Sequence, residues 1–125
     1  MKKDNRVGNE MKVATTEQFR PYFVLLNNLY EIERKLTKHE DPENIGRNLE
    51  RMKQALNEHF KLFYEDPLGQ EFKETRTDLE ASISGSSTQN LVVTDVIKPI
   101  IRWGLPALSE VVQRGVVIVE GAANE

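Results

Sequence analysis

The hydrophobic pattern changes period at one turn, "YEDPLGQEF", Tyr64 to Phe72. Upstream of it apolar residues recur every three or four positions; downstream they alternate, and β-branched residues dominate. From Thr16 to Lys38 the residues Phe19, Tyr22, Leu25, Leu29, Ile32 and Leu36 lay one stripe along an amphipathic helix. Pro21 stands near its start, where a missing N–H is tolerated, or bends the helix if it extends upstream. Asp41, Pro42 and Glu43 then read as N-cap, first helical residue and acidic first turn. The stripe of that second helix is Ile45, Leu49, Met52, Leu56, Phe60 or His59, and Phe63, ending before Asp66-Pro67. Each helix is expected to run roughly 20 residues, or about 30 Å.

An antiparallel hairpin has one seam, and these stripes are wider than one seam. Phe23, Leu26, Tyr30, Leu62 and Phe63 broaden them. The spare face needs a cover, either the C-terminal half folding back or the same hairpin from a second copy. A four-helix bundle across a two-fold axis is the economical form of the second option. Its interface residues would be Leu25, Leu29, Ile32, Leu36, Leu49, Met52 and Leu56.

Downstream, Thr77 to Ser84 alternates with Leu79, Ala81 and Ile83 on one face, as a half-buried strand does. Gly85 to Asn90 is polar and reads as a loop. "LVVTDVI" continues past Pro99 into "IIRW", with Pro99 marking an edge or a bulge. Gly104 to Ser109 is a second loop. In the last run, "EVVQRGVVIVE", Gly115 signals a bulge or a close backbone approach, and Val116 to Val119 is expected to be buried on both sides. The expectation is an α+β fold, with a helical hairpin that forms a dimeric four-helix bundle and a small C-terminal antiparallel β domain of about four strands. The divisions are a flexible N-terminal segment (1–15), the hairpin and dimerisation region (16–65) and the β domain (66–125).

Composition narrows the functions. A net charge of −3 over 125 residues gives no basic footprint for nucleic acid, and the absence of cysteine removes disulfides, thiolate metal sites and cysteine nucleophiles. No stretch is apolar enough for a signal peptide or membrane span, so a cytoplasmic location and no membrane partner are expected. His39 and His59 lack ligand partners at zinc spacing, and Gly46 and Gly85 lie in no phosphate-binding loop. The carboxylate pairs Glu31/Glu33 and Glu65/Asp66 read as solvated surface charge. No enzyme, metal or cofactor is expected. Trp103 beside Arg102 stands apart: it is either a core aromatic or an anchor for a protein partner, where both residue types are enriched.

Taken in order, Phe19 to Glu120 resembles the GrpE family, the nucleotide exchange factors of DnaK-type chaperones. "VLLNNLYEIERKL" is similar to the family's first bundle helix, with Asn27-Asn28-Leu29 at its Asp-Asn-Leu triplet, and "DPENIGRNLERM" to the second, with Gly46 at its opening glycine. "DPLGQEFKETRTDLEA" is similar to the junction Pro-x-Gly-x-x-Phe-Asp-Pro-x-x-His-Glu-Ala, with Lys73-Glu74 in place of Asp-Pro and Thr77 in place of His. "LVVTDVIKPIIR" and "EVVQRGVVIV" resemble the last two long strand segments. The resemblance implies a homodimeric stress-response co-chaperone that binds a DnaK-type ATPase domain with its nucleotide cleft open and promotes ADP release. Carried over by position, it implies partner contacts at Phe72, Glu74, Ile97, Glu110 and Gln113, to which Arg102 and Trp103 are added from their chemistry. Glu110 falls where the family has arginine, which implies a specialised, co-evolved chaperone. The family's long paired N-terminal helix is expected to be lacking, with the functions of that stalk absent or reduced. The alternative is a dimeric adaptor of the same form that holds a partner without releasing nucleotide.

Overall fold

The computed structural model describes residues 5–41 and 43–121, with side chains from residue 17 onward. Two helices, α1 (Asn5–Thr37) and α2 (Ile45–Phe60), precede six strands: β1 (Leu62–Glu65), β2 (Leu79–Ile83), β3 (Leu91–Lys98), β4 (Ile100–Trp103), β5 (Glu110–Gln113) and β6 (Gly115–Gly121). The fold is α+β, as the change of hydrophobic period requires.

Helix α1 begins eleven residues before Thr16 and takes in residues 5–15, which the sequence suggested as a flexible lead-in. Glu10 to Ala14 carries no apolar stripe but consists mainly of good helix formers, so a helix fixed downstream propagates back through it. Pro21 therefore lies inside the helix rather than at its start. Helix α2 begins at Ile45, behind the left-handed residue Asn44. Asp41 still caps it, from farther back than an N-cap residue sits: its carboxylate accepts the N–H groups of Ile45 and Gly46, both at 2.8 Å. Pro42, expected at the first helical position, lies outside the described residues.

The second helix also stops earlier than its stripe suggested. Lys61 turns left-handed (φ 57°) and its N–H closes the last turn on the Asn57 carbonyl. Leu62 to Glu65 then pairs with β4 as a strand, so Phe63 and Tyr64 belong to a sheet and not to the hairpin.

The β half has six strands rather than about four, in two three-stranded sheets ordered β1-β4-β5 and β2-β6-β3. Pro99 is where the chain leaves one sheet for the other, since a residue without an N–H cannot continue the ladder. The pairing of β2 with β6 is parallel, which makes that sheet mixed rather than antiparallel. Val117 and Val119 are fully buried while Val116 and Ile118 are half-buried, so the last apolar run is not buried on both sides.

Two cores result. One holds Tyr30, Leu79, Leu91, Val93, Val96, Ile100, Val117 and Val119. The other joins the hairpin to the first sheet through Phe23, Leu26, Leu29, Leu49, Leu62 and Ile101. Ile100 and Ile101 are neighbours on β4 and enter different cores, because successive strand residues face opposite ways. Both faces of that sheet are thus covered.

The opening turn completes the second sheet. Gly69 (φ 82°) takes a left-handed conformation, and its N–H donates to the Val93 carbonyl at 2.9 Å. The Val93 N–H returns to Gln70 O and the Phe72 N–H reaches Leu91 O, both at 2.9 Å. The turn thus runs as a short extra strand along the outer edge of β3.

At Gly115, β6 starts against Leu79 and Ile100. A Cβ there would stand 2.7 Å from Leu79 Cδ2 and 2.9 Å from Ile100 Cγ1, both in the buried core. The close approach read from the sequence is a packing constraint. Gly115→Ala should lower stability by about 1–3 kcal/mol through overpacking, measured by urea unfolding. An unchanged midpoint would show that the core yields there.

Candidate functional site

The candidate surfaces follow from which apolar and charged positions the fold leaves uncovered. The expected interface stripe is divided. Leu29 and Leu49 are buried within the chain, at 6% and 2% exposure, and Leu36 and Leu56 pack half-buried beside them. Leu25 (52%), Ile32 (41%) and Met52 (47%) stay on the surface. With Leu29, Leu56 and Ala55 they line an apolar groove of about 420 Å³ along the α1–α2 seam.

The expected partner-binding residues fall in three places. Phe72 is half-buried, packed on the core of the second sheet, and with exposed Glu74 it borders a polar groove completed by Lys73, Thr88 and Asn90. Ile97 is 52% exposed on β3. Arg102, Trp103, Glu110 and Gln113 share the first sheet, where Trp103 stands opposite Glu110 and Ile101 opposite Gln113. Arg102 is hydrogen-bonded to Glu65 and 3.6 Å from Asp78, so its guanidinium is engaged within the fold. Trp103 packs half-buried against Phe19, with ring centroids 6.3 Å apart, in the manner of a core aromatic. Gln113 exchanges hydrogen bonds with Asn27.

Sequence reading missed a polar seam that runs up one face of α1 beside the apolar stripe. Asn27, Tyr30 and Arg34 are spaced three and four apart, and each reaches the β half. The Tyr30 hydroxyl donates to Asp66 at 3.1 Å, and Arg34 donates to the Val96 carbonyl and to Asp95, the latter at 2.9 Å. One turn away, Glu33 accepts the Tyr64 hydroxyl at 2.8 Å and the Lys53 ammonium at 3.1 Å. Lys53 lies 4.7 Å from the centre of the Tyr64 ring, which adds a cation–π contact. Glu33 and Glu65 are therefore half-buried hydrogen-bonding groups rather than solvated charge, while Glu31 is exposed. The signal was present: polar residues at helical spacing within an apolar face mark a contact, not solvent.

The chain matches no protein-family model, no curated protein and no solved structure. What its surfaces can do rests on their chemistry. Among the described residues no group of three or more histidines and carboxylates could hold a metal ion, and no helix is long and apolar enough to cross a membrane.

The electrostatics of the seam are those of a fastening. Burial alone would raise Glu33, but hydrogen bonds from Tyr64 and Lys53 outweigh it and hold the carboxyl below its ordinary 4.5. Asp78 is held below 3.8 first by its hydrogen bonds from Arg76, at 3.0 and 2.9 Å, against the opposing effect of burial. Burial, reinforced by carboxylates, pushes Tyr30 and Tyr64 well above 10.0. Depressed carboxyls contribute stability that is complete above about pH 5 and lost as the pH falls through their folded values. The tyrosines contribute below about pH 10, and that share is lost as the pH rises. Urea midpoints should form a plateau between these limits, and Glu33→Gln should lower the plateau while blunting its acid side. An acid side identical to wild type would contradict the role given to Glu33.

Proposed function

We propose that this chain is a dimeric, cytoplasmic co-chaperone that binds the ATPase domain of a DnaK-type chaperone and promotes ADP release. The observation that carries the reading is an uncovered apolar groove on a helical hairpin that is itself fastened to a small two-sheet unit. Leu25, Ile32 and Met52 cost free energy while exposed, and a second hairpin laid antiparallel would cover them as the remaining two helices of a bundle. That arrangement would present two β units with Glu74, Ile97 and Glu110 outward. The order of segments between Phe19 and Glu120, similar to that of the GrpE family, gives the partner its class.

The mechanism needs no bond chemistry. A protein that prefers the open nucleotide cleft shifts its partner toward that state, and linkage makes ADP weaken the complex by the same factor as the complex weakens ADP. The requirement is rigidity: if the sheets could move relative to the hairpin, differential contact would dissipate as motion. The Tyr30, Glu33 and Arg34 contacts supply that rigidity.

A second reading, an adaptor that binds without release, is favoured by the engagement of Arg102, Trp103 and Gln113 inside the chain, which leaves fewer free contacts for the sheet face. In stopped flow, the protein should speed loss of labelled ADP from its cognate chaperone by about tenfold or more, the effect of ~1.4 kcal/mol of coupling. Tight binding with no acceleration would select the adaptor. For the dimer, sedimentation at micromolar concentration should give twice the chain mass, and the double variant Leu25→Glu, Met52→Glu should sediment as a folded monomer. A wild-type monomer would remove the bundle.

A further inference from the structure

On the opposite side of α1 from the seam with α2, a second groove of about 380 Å³ runs between the helix and the ends of β3 and β5. Its walls are Val24, 58% exposed, and the half-buried Val112. Arg20 and Lys98 stand on its rim, and Asn27 and Gln113 are among its lining. Lys98 is exposed and has no anionic partner among the described residues. Among the described residues Arg20 pairs with Glu17 at 2.7 Å, across side chains 67% and 60% exposed, an attachment weak enough to exchange. In a chain of net charge −3 this is a local excess of positive charge beside apolar walls.

The amide pair adds a directional element. Asn27 Nδ2 donates to Gln113 Oε1 at 3.1 Å, and Gln113 Nε2 donates to Asn27 Oδ1 at 2.9 Å and to the Pro99 carbonyl at 3.1 Å. Both N–H groups of Gln113 are used. One N–H of Asn27 and one lone pair on each amide oxygen have no partner in this set. A donor and an acceptor held side by side match one peptide unit of an extended chain.

We infer that the groove between α1 and β5 binds an extended acidic-aliphatic peptide segment, its backbone on the Asn27–Gln113 amide pair, its carboxylates at Lys98 and Arg20. Aliphatic side chains of the segment lie between Val24 and Val112. The occupant is set by the charge of the rim, the apolar walls and the amide pair between them, so the assignment does not rest on the exchange-factor reading and needs no ATPase for its test.

The test is a nuclear magnetic resonance titration of the labelled full chain with a short synthetic peptide alternating leucine and glutamate. The side-chain amide signals of Asn27 and Gln113 and the backbone signals of Val24 and Val112 should shift together and saturate. Lys98→Glu, an exposed change that leaves the cores intact, should weaken binding by about tenfold. It should also admit a peptide with lysine in place of glutamate. Equal binding of the acidic and basic peptides by the wild type, no binding of either, or shifts confined to Leu25, Ile32 and Met52 would overturn the assignment. So would a change of the Asn27 and Gln113 signals on dilution alone, which would place a second copy in the groove.

Discussion

The contact between Tyr30 and Tyr64 joins the two halves of this molecule. Their rings meet nearly edge to face, 5.6 Å apart at 80°, one from the C-terminal third of α1 and one from the first strand after the hairpin. Tyr30 is buried in the core of the second sheet, and Tyr64 packs against both cores. A phenol so placed needs a hydrogen-bond partner, and each finds a carboxylate: Asp66 for Tyr30 and Glu33 for Tyr64. Lys53 on α2 then neutralises Glu33, and Arg34 extends the contact to β3. The chain of partners reaches both helices, the turn and both sheets. Removing one member leaves a partly buried charge or hydroxyl without its partner, which costs more than the pair contributes.

Much of this fold was legible because the hydrophobic period is a local property. Both helices, the turn at Pro67, the Gly85 to Asn90 loop and the strand at Leu79 follow from spacing alone. The end of α2 did not, because Phe60 and Phe63 are three apart and keep helical phase while the chain enters a strand, and the left-handed residue is Lys61 rather than a glycine. The parallel pairing of β2 with β6 joins segments more than thirty positions apart and leaves no local mark. Pro99 marks an interruption in the sequence, but whether a proline makes a bulge or a passage between sheets depends on where the next strand docks.

The surfaces were legible to the same extent. A stripe wider than one seam announced that the hairpin needed a further cover, and the C-terminal half folds back to supply part of it: Phe23, Leu26 and Tyr30 meet the β half, while Leu25 and Ile32 stay exposed. Sequence could not divide Leu29 and Leu49 from Leu25 and Met52, since all lie on the same broad face. Trp103 and Arg102 show why the two readings of such residues stay open at the level of sequence. Residue types that are enriched at interfaces are also those that complete cores and ion pairs, and only the position of Phe19 and Glu65 decides between them.

The extra strand formed by the opening turn has a consequence for how the protein can be made. An edge such as that of β3, with its β-branched run, is a template for pairing with other chains until it is covered. Gly69 to Phe72 covers Leu91 to Val93, and Arg34 covers Asp95 and Val96. Both covers precede β3 in the chain. During synthesis, therefore, the hazardous strand leaves the ribosome after the segments that shield it, and order of appearance itself limits misassembly.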